Sequence, residues 1–284
     1  MATTIQGGVL AHGAAVNGER RGGGGLRWLR EPLYRRRFRR PFGEGNLYYG
    51  MYPDREQAQA AADALSSREI PASYDTEAAG RIYRNLVDTV RVSDFPLIHW
   101  LHRLIGDGAR SVFDLGGNIG VSYYSFARYL DYPPDLRWTV HDLPHAMAAG
   151  RKRALTQDPG GRLGFADSER DADGRDVLVV TGALQYLPYS LPELLGALHA
   201  PPPHVLLNLT PMREDREFYT LQNLGIAICP YKVTSRPRLV DGMAALGYEL
   251  RDRWTSTERH LEVPFHADAR VDGYSGACFR RVAD

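Results

Sequence analysis

Nine residues, Val112-Phe113-Asp114-Leu115-Gly116-Gly117-Asn118-Ile119-Gly120, restrict what this chain can fold into more than any other stretch. They read as a short buried strand ending in an acid, then a glycine-rich turn, and Val121-Ser122-Tyr123-Tyr124-Ser125-Phe126-Ala127 opens a helix behind them. Such a strand–turn–helix unit lets a ligand come close to the backbone, because glycine has no Cβ and accepts positive φ. A dinucleotide fingerprint is excluded by the spacing: counted from Gly116, G-x-G-x-x-G requires glycine where Asn118 and Val121 stand. Asn118 suits a tight turn, since Asn enters the left-handed region more readily than most residues. Taken alone, the unit also fits a tight turn that binds nothing.

The surroundings extend the pattern. From Ser111 onward strand-like and helix-like runs alternate, which predicts a parallel sheet with crossover helices. Strands are expected at 111–115, 136–141, 163–166, 176–181 and 204–208, then a helix near 238–246, a strand-like 247–252 and a last strand near 276–282. The second strand ends in His141-Asp142-Leu143-Pro144, with Asp142 placed 22 residues after Gly120. A carboxylate there can accept from both hydroxyls of a ribose, as in dinucleotide enzymes; the plainer alternative is a helix cap ahead of Pro144. Asp167 and Ser168 follow the third strand, where an ordinary Asx turn is the alternative.

Asp114-x-Gly116-x-Asn118-x-Gly120 resembles motif I of class I S-adenosylmethionine (SAM) methyltransferases. Segments downstream add to the resemblance: Leu184-Gln185-Tyr186-Leu187, Asn208-Leu209-Thr210-Pro211, Thr220-Leu221-Gln222-Asn223, Pro230-Tyr231-Lys232-Val233 and Tyr274-Ser275-Gly276-Ala277. Together they look like a group of bacterial methyltransferases, some encoded among surface-polysaccharide genes, and the likeness runs from about Gly50 to Arg281. The long Gly- and Arg-rich N-terminus departs from that group. The resemblance implies an α/β fold with a mostly parallel seven-stranded sheet, an N-terminal helical lid over 41–105 and a SAM-binding domain over 106–284. It implies SAM as cofactor, held by Asp114, Gly116, Gly117, Asn118, Gly120, Asp142, Leu143, Asp167, Ser168, Gly182, Leu184 and Gln185. Asp114 would hold the loop or meet the cofactor's ammonium group.

Methyl transfer is an in-line displacement, so holding nucleophile and methyl group in line supplies much of the acceleration. A hydroxyl acceptor must also lose its proton, and His is the usual base near neutral pH. Of nine histidines, His260 and His266 lie in the long insertion 255–272 and are the candidate bases, with Tyr186 as a further catalytic candidate beside the methyl group. His141 and His145 flank the cofactor strand and read as structural. Tyr219, Asn223, Tyr231 and Arg236 are assigned to the loop after the fifth strand, on the side where open α/β sheets bind ligands, as acceptor contacts. The acceptor is expected to be a small molecule or glycan, with O-methylation favoured.

Composition bounds the rest. With 284 residues, 43% hydrophobic content and a net charge of +1, the chain fits one large globular domain with no global field for nucleic acid, and no DNA partner is expected. Cys229 and Cys278 sit far apart in apolar runs, as small core hydrophobes in a reducing compartment would. No metal is expected, since there is no paired acid cluster or C-x-x-C. No apolar run approaches the roughly 20 residues that span a bilayer, and no signal layout opens the chain, so the expected location is cytoplasmic. Residues 1–40 are expected to be a disordered arm, Gly-rich and carrying nine arginines between Arg20 and Arg40. Arginines interleaved with Trp28, Leu29, Leu33 and Tyr34 suit a solvated basic arm, an anionic membrane surface contacted through residues 26–40, or RNA. Two other functions stay open: a non-catalytic scaffold of the same fold, and an RNA-binding or RNA-modifying protein. The sequence does not fix an oligomeric state.

Overall fold

The computed structural model describes residues 27–42, 45–76 and 86–282. In chain order its elements begin with α1 (Arg27–Phe38), β1 (Leu47–Tyr52), α2 (Arg55–Leu65) and α3 (Phe95–Gly106). The alternating part runs β2 (Ser111–Leu115), α4 (Val121–Phe126), β3 (Arg137–His141), α5 (Pro144–Gln157), β4 (Leu163–Phe165), β5 (Val177–Thr181), α6 (Leu191–Gly196) and β6 (His204–Arg213). It continues with β7 (Phe218–Asn223), β8 (Ile228–Ser235), α7 (Arg236–Ala245), β9 (Tyr248–Ser256), β10 (Leu261–Val263), β11 (His266–Val271) and β12 (Tyr274–Arg281).

Seven of these strands make the expected sheet, in the order β4-β3-β2-β5-β6-β12-β9. The first five are parallel, and β12 runs antiparallel between β6 and β9. This is the mostly parallel seven-stranded sheet that the sequence resemblance implied. It departs from the 3-2-1-4-5-6 order of dinucleotide sheets by the antiparallel strand inserted next to the fifth. Residues alternate across the sheet. Phe113, Leu115, Leu178, Val180, Val205 and Leu207 pack on one side with Leu239 and Met243 of α7. Val112, Val177, Val179 and Leu206 face the other side with Leu97, Leu101 and Leu104 of α3. Both faces are covered, which is why Val177–Val180 of β5 and Val205–Leu207 of β6 read as unbroken apolar runs, whereas β2 carries the buried Asp114.

Three further strands extend the sheet. The far end of β6 leaves β12 and pairs in parallel with β8, and antiparallel β7 and β1 complete a ten-stranded sheet. Two expectations fail here. The segment 41–105 is not wholly helical: Leu47-Tyr48-Tyr49-Gly50-Met51-Tyr52 is a strand, because its aromatic side chains fit a half-buried pleated surface and β7 offers an edge. Tyr219, Asn223 and Tyr231 lie within β7 and β8 and not in a loop. Within 41–105, Ile82 lies outside the described residues, while Leu86, Val87 and Val90 occupy a 3-10 turn and an irregular stretch and not an α-helix. The disordered arm expected over 1–40 gives way to α1 from Arg27. Phe38, wholly buried against Ala58, Ala62, Leu65 and Leu221, anchors that helix. Residues 1–26 are outside the described part.

Candidate active site

The glycine-rich turn sits at the carboxyl ends of β2 and β3, the end where open parallel sheets take ligands. Its shape is set from two sides. Gly116, at φ 80°, donates its N–H to the carbonyl of His141 at 2.8 Å, and a Cβ there would stand 2.2 Å from that of Ala183. Gly117 lies on the Asp114 carboxylate: a Cβ would meet Oδ2 at 2.5 Å. Asn118 adopts φ 56°, with Oδ1 accepting the Ile119 N–H at 2.9 Å. Gly120, also left-handed, begins α4.

Asp114 is wholly buried beneath this turn and does not line the cavity above it. Its Oδ2 accepts the indole N–H of Trp138 at 3.2 Å, whereas Oδ1 has no hydrogen-bond partner, although the Ser122 hydroxyl lies nearby. Burial pushes the carboxyl up to about 7; the Trp138 contact opposes this and the Asp142 charge adds to it. Of the two roles expected for Asp114, supporting the turn is the one its contacts match.

Asp142 does line the cavity. Oδ2 accepts the Asn118 N–H at 2.8 Å and Oδ1 the Leu143 N–H at 2.6 Å, so one carboxylate ties the end of β3 to the turn after β2. Desolvation raises its pKa, with the two backbone N–H groups acting against that. A carboxylate has about four acceptor positions, so each oxygen keeps a lone pair for a ligand hydroxyl.

The other cofactor candidates divide. Leu143, Asp167 and Gly182 line the cavity with Gly116, Gly117 and Asn118. The Asp167 carboxylate is exposed and paired with Arg151 at 2.5 Å. Ser168 caps the short turn 169–172 through its hydroxyl and is not part of the wall. Leu184 and Gln185 are buried behind the cavity; the Gln185 amide donates to the Gly182 carbonyl at 2.8 Å, and its Oε1 has no partner.

The cavity encloses about 2200 Å³. Part of its wall is built of tyrosines held by one amide. Gln222 Oε1 accepts the hydroxyls of Tyr186 at 2.6 Å and Tyr74 at 3.0 Å, and its Nε2 donates to the Tyr48 hydroxyl at 3.2 Å. Tyr274 lies within hydrogen-bond distance of Tyr48 at 3.2 Å and of Tyr231 at 2.8 Å. Burial raises the phenols of Tyr48, Tyr231 and Tyr274 and keeps them protonated. Sequence reading picked out Tyr186 and missed Tyr48, Tyr74, Gln222 and Tyr274 as wall residues. The available signal was the tyrosine-rich run at 48–52, read as part of a helical lid.

The four acceptor candidates are engaged elsewhere. Asn223 is wholly buried, donating to the carbonyl of Phe38 at 2.5 Å and accepting the Gly225 N–H at 2.6 Å. Tyr219 packs with α2 under the sheet extension, and Tyr231 stands behind Tyr274. Arg236 pairs with Glu214 at 2.7 Å and donates to Ser275 at 3.0 Å. None of the four lines the cavity: strands β7 and β8 carry Tyr219, Asn223 and Tyr231 in the sheet extension, and Arg236 opens α7. Of the candidate bases, His260 lines the cavity and His266 does not, since it lies on β11 paired with Val263. His141 and His145, four residues apart, stand on a strand end and a helix start: His141 Nδ1 contacts the Ala166 carbonyl at 2.9 Å, and His145 pairs with Asp75 at 2.8 Å. No group of three metal-ligating side chains occurs among the described residues.

No protein-family model matches the chain, and no curated protein matches it. Its fold is similar to those of solved methyltransferases. The 1,6-didemethyltoxoflavin-N1-methyltransferase of Burkholderia thailandensis, with bound S-adenosylhomocysteine, aligns at TM-score 0.45 and 19% identity over 68% of this chain and 79% of that one. Magnesium protoporphyrin IX methyltransferase of Synechocystis PCC 6803 aligns at 0.49 and 11%, over 74% and 97%. An O-methyltransferase family protein of Burkholderia thailandensis aligns at 0.46 and 18%, over 91% and 70%.

Proposed function

We propose that this chain is a SAM-dependent methyltransferase acting on a small-molecule acceptor. The observation that carries the reading is the Asp142 carboxylate, bonded to the N–H groups of Asn118 and Leu143 at the carboxyl edge of β2 and β3, with lone pairs left toward the cavity. The residues fit the cofactor: an acid placed for two ribose hydroxyls, a glycine turn packed so closely on Ala183 and Asp114 that a Cβ at Gly116 or Gly117 would clash, and a buried carboxylate supporting that turn. SAM, when bound, supplies an activated methyl group on a sulfonium.

The chain's own work is then positional. Asp142 fixes the ribose, and the backbone of Gly116, Gly117 and Asn118 takes the amino-acid end. The tyrosine wall, braced by Gln222, orients the acceptor and keeps water from the reacting atoms. A cavity of about 2200 Å³ exceeds the roughly 300–1,000 Å³ that one ligand usually fills, which supports a second molecule beside the cofactor. An oxygen nucleophile is favoured, with His260, which lines the cavity, as the base that removes its proton. Isothermal titration with S-adenosylhomocysteine tests the assignment. Wild-type protein should bind it, and Asp142→Ala should bind at least tenfold more weakly, because two hydrogen bonds to a charged group are lost. Equal affinity in a folded variant would refute the proposal.

A further inference from the structure

The outer face of α1 carries a surface that the proposed activity does not explain, although Leu33 also reaches the cavity rim. The helix is held to the fold by buried Phe38 and by the Tyr34 hydroxyl, which donates to the Tyr48 carbonyl at 2.9 Å, with the Phe265 ring edge against Tyr34 at 5.8 Å. Its other side points outward, with Trp28, Leu29 and Leu33 exposed at 70%, 46% and 69%. At about 100° per residue these three share an arc of roughly 140°, with Arg36 in its middle one turn further on. Residues 27–40 hold seven arginines and one glutamate. Trp28, Arg35, Arg36, Arg39 and Arg40 line a shallow groove of about 760 Å³ beside the helix, with Glu31, paired with Arg27, as its one carboxylate.

Exposed Trp and Leu cost solvation free energy in water, and clustered guanidinium groups repel one another. An anionic lipid surface relieves both: the apolar arc enters the acyl boundary while the arginines reach headgroup phosphates along their aliphatic stems. We propose that α1 is an interfacial helix that seats the protein on an anionic bilayer, its groove of arginines taking lipid phosphate. A single-stranded RNA would answer the charge but not the exposed Trp28, Leu29 and Leu33. The docking element also borders the active cavity, since Arg27, Leu33, Tyr34 and Arg37 contribute to its wall.

Full-length protein is sedimented with vesicles of phosphatidylcholine alone, and with vesicles containing roughly 30% phosphatidylglycerol, at about 0.15 M salt. Partition into the anionic vesicles only is expected. The double variants Trp28→Ser/Leu33→Ser and Arg35→Glu/Arg36→Glu should each lower it at least tenfold, with thermal unfolding in solution unchanged. The proposal is overturned by absence of partition into anionic vesicles, by undiminished partition of the folded double variants, or by binding to single-stranded RNA without binding to vesicles. None of these readouts depends on SAM binding, so this proposal and the proposed activity stand or fall separately.

Discussion

Asp114 couples stability to pH more directly than any other residue of the site. Its carboxyl titrates at about 7 in the folded chain, against 3.8 for the ordinary side chain. Between those values the folded state binds more protons than the unfolded one, so stability falls as pH rises from about 4 to about 7 and the full penalty is present above. Three pKa units correspond to at most about 4 kcal/mol. Asp114→Asn keeps an oxygen for Trp138 and removes the titration. Its melting temperature relative to wild type should therefore increase between pH 5 and pH 8, and parallel profiles would show that Asp114 does not titrate there. Gly117 offers a second test. Alanine would force its Cβ onto Asp114 Oδ2, lifting the turn off its support and breaking the Asn118–Asp142 contact. A folded Gly117→Ala protein with at least tenfold weaker S-adenosylhomocysteine affinity is expected by titration calorimetry. Both residues were legible in the motif. That Asp114 lies under the turn and not in the cavity was not, because its burial is created by β3 and Trp138.

At the level of elements, β1, β7 and β8 are what distinguish this molecule from a plain seven-stranded sheet. They bring Tyr48 and Gln222 to the cavity, and they bury Asn223 away from it. Asn223→Ala leaves the Phe38 carbonyl and the Gly225 N–H without their partner, a loss of about 1–3 kcal/mol for each buried polar group abandoned. Chemical denaturation should show lower stability, while S-adenosylhomocysteine affinity stays as in wild type. A selective loss of acceptor turnover at unchanged stability would restore the contact role first assigned to this residue. Gln222→Leu keeps the volume but drops the Tyr186, Tyr74 and Tyr48 contacts. It should raise KM for the acceptor well above its effect on cofactor affinity. Periodicity hid these strands. The tyrosine-rich run was read as part of a helical neighbourhood, whereas pairing with the edge of β7 makes it a strand.

For the whole molecule, ligand linkage offers an assay that needs no known acceptor. S-adenosylhomocysteine at a hundredfold excess over its Kd should stabilise the fold by about 2.7 kcal/mol, read as an upward shift in the thermal transition. The Asp142→Ala protein should show little shift at the same concentration, and a full shift there would count against the assigned site. The sequence alone determined the parallel α/β core and the position of the glycine turn and Asp142, because these depend on local alternation and on spacing between adjacent strands. Only the tertiary structure decided which residues form the tyrosine wall of the cavity. Tyr48, Tyr74, Tyr186, Gln222 and Tyr274 come from segments scattered between residues 48 and 274, and they meet because β6 leaves one neighbour for another and recruits three more strands. No local pattern encodes that change of partner: it follows from which sheet edges remain open once the core has formed.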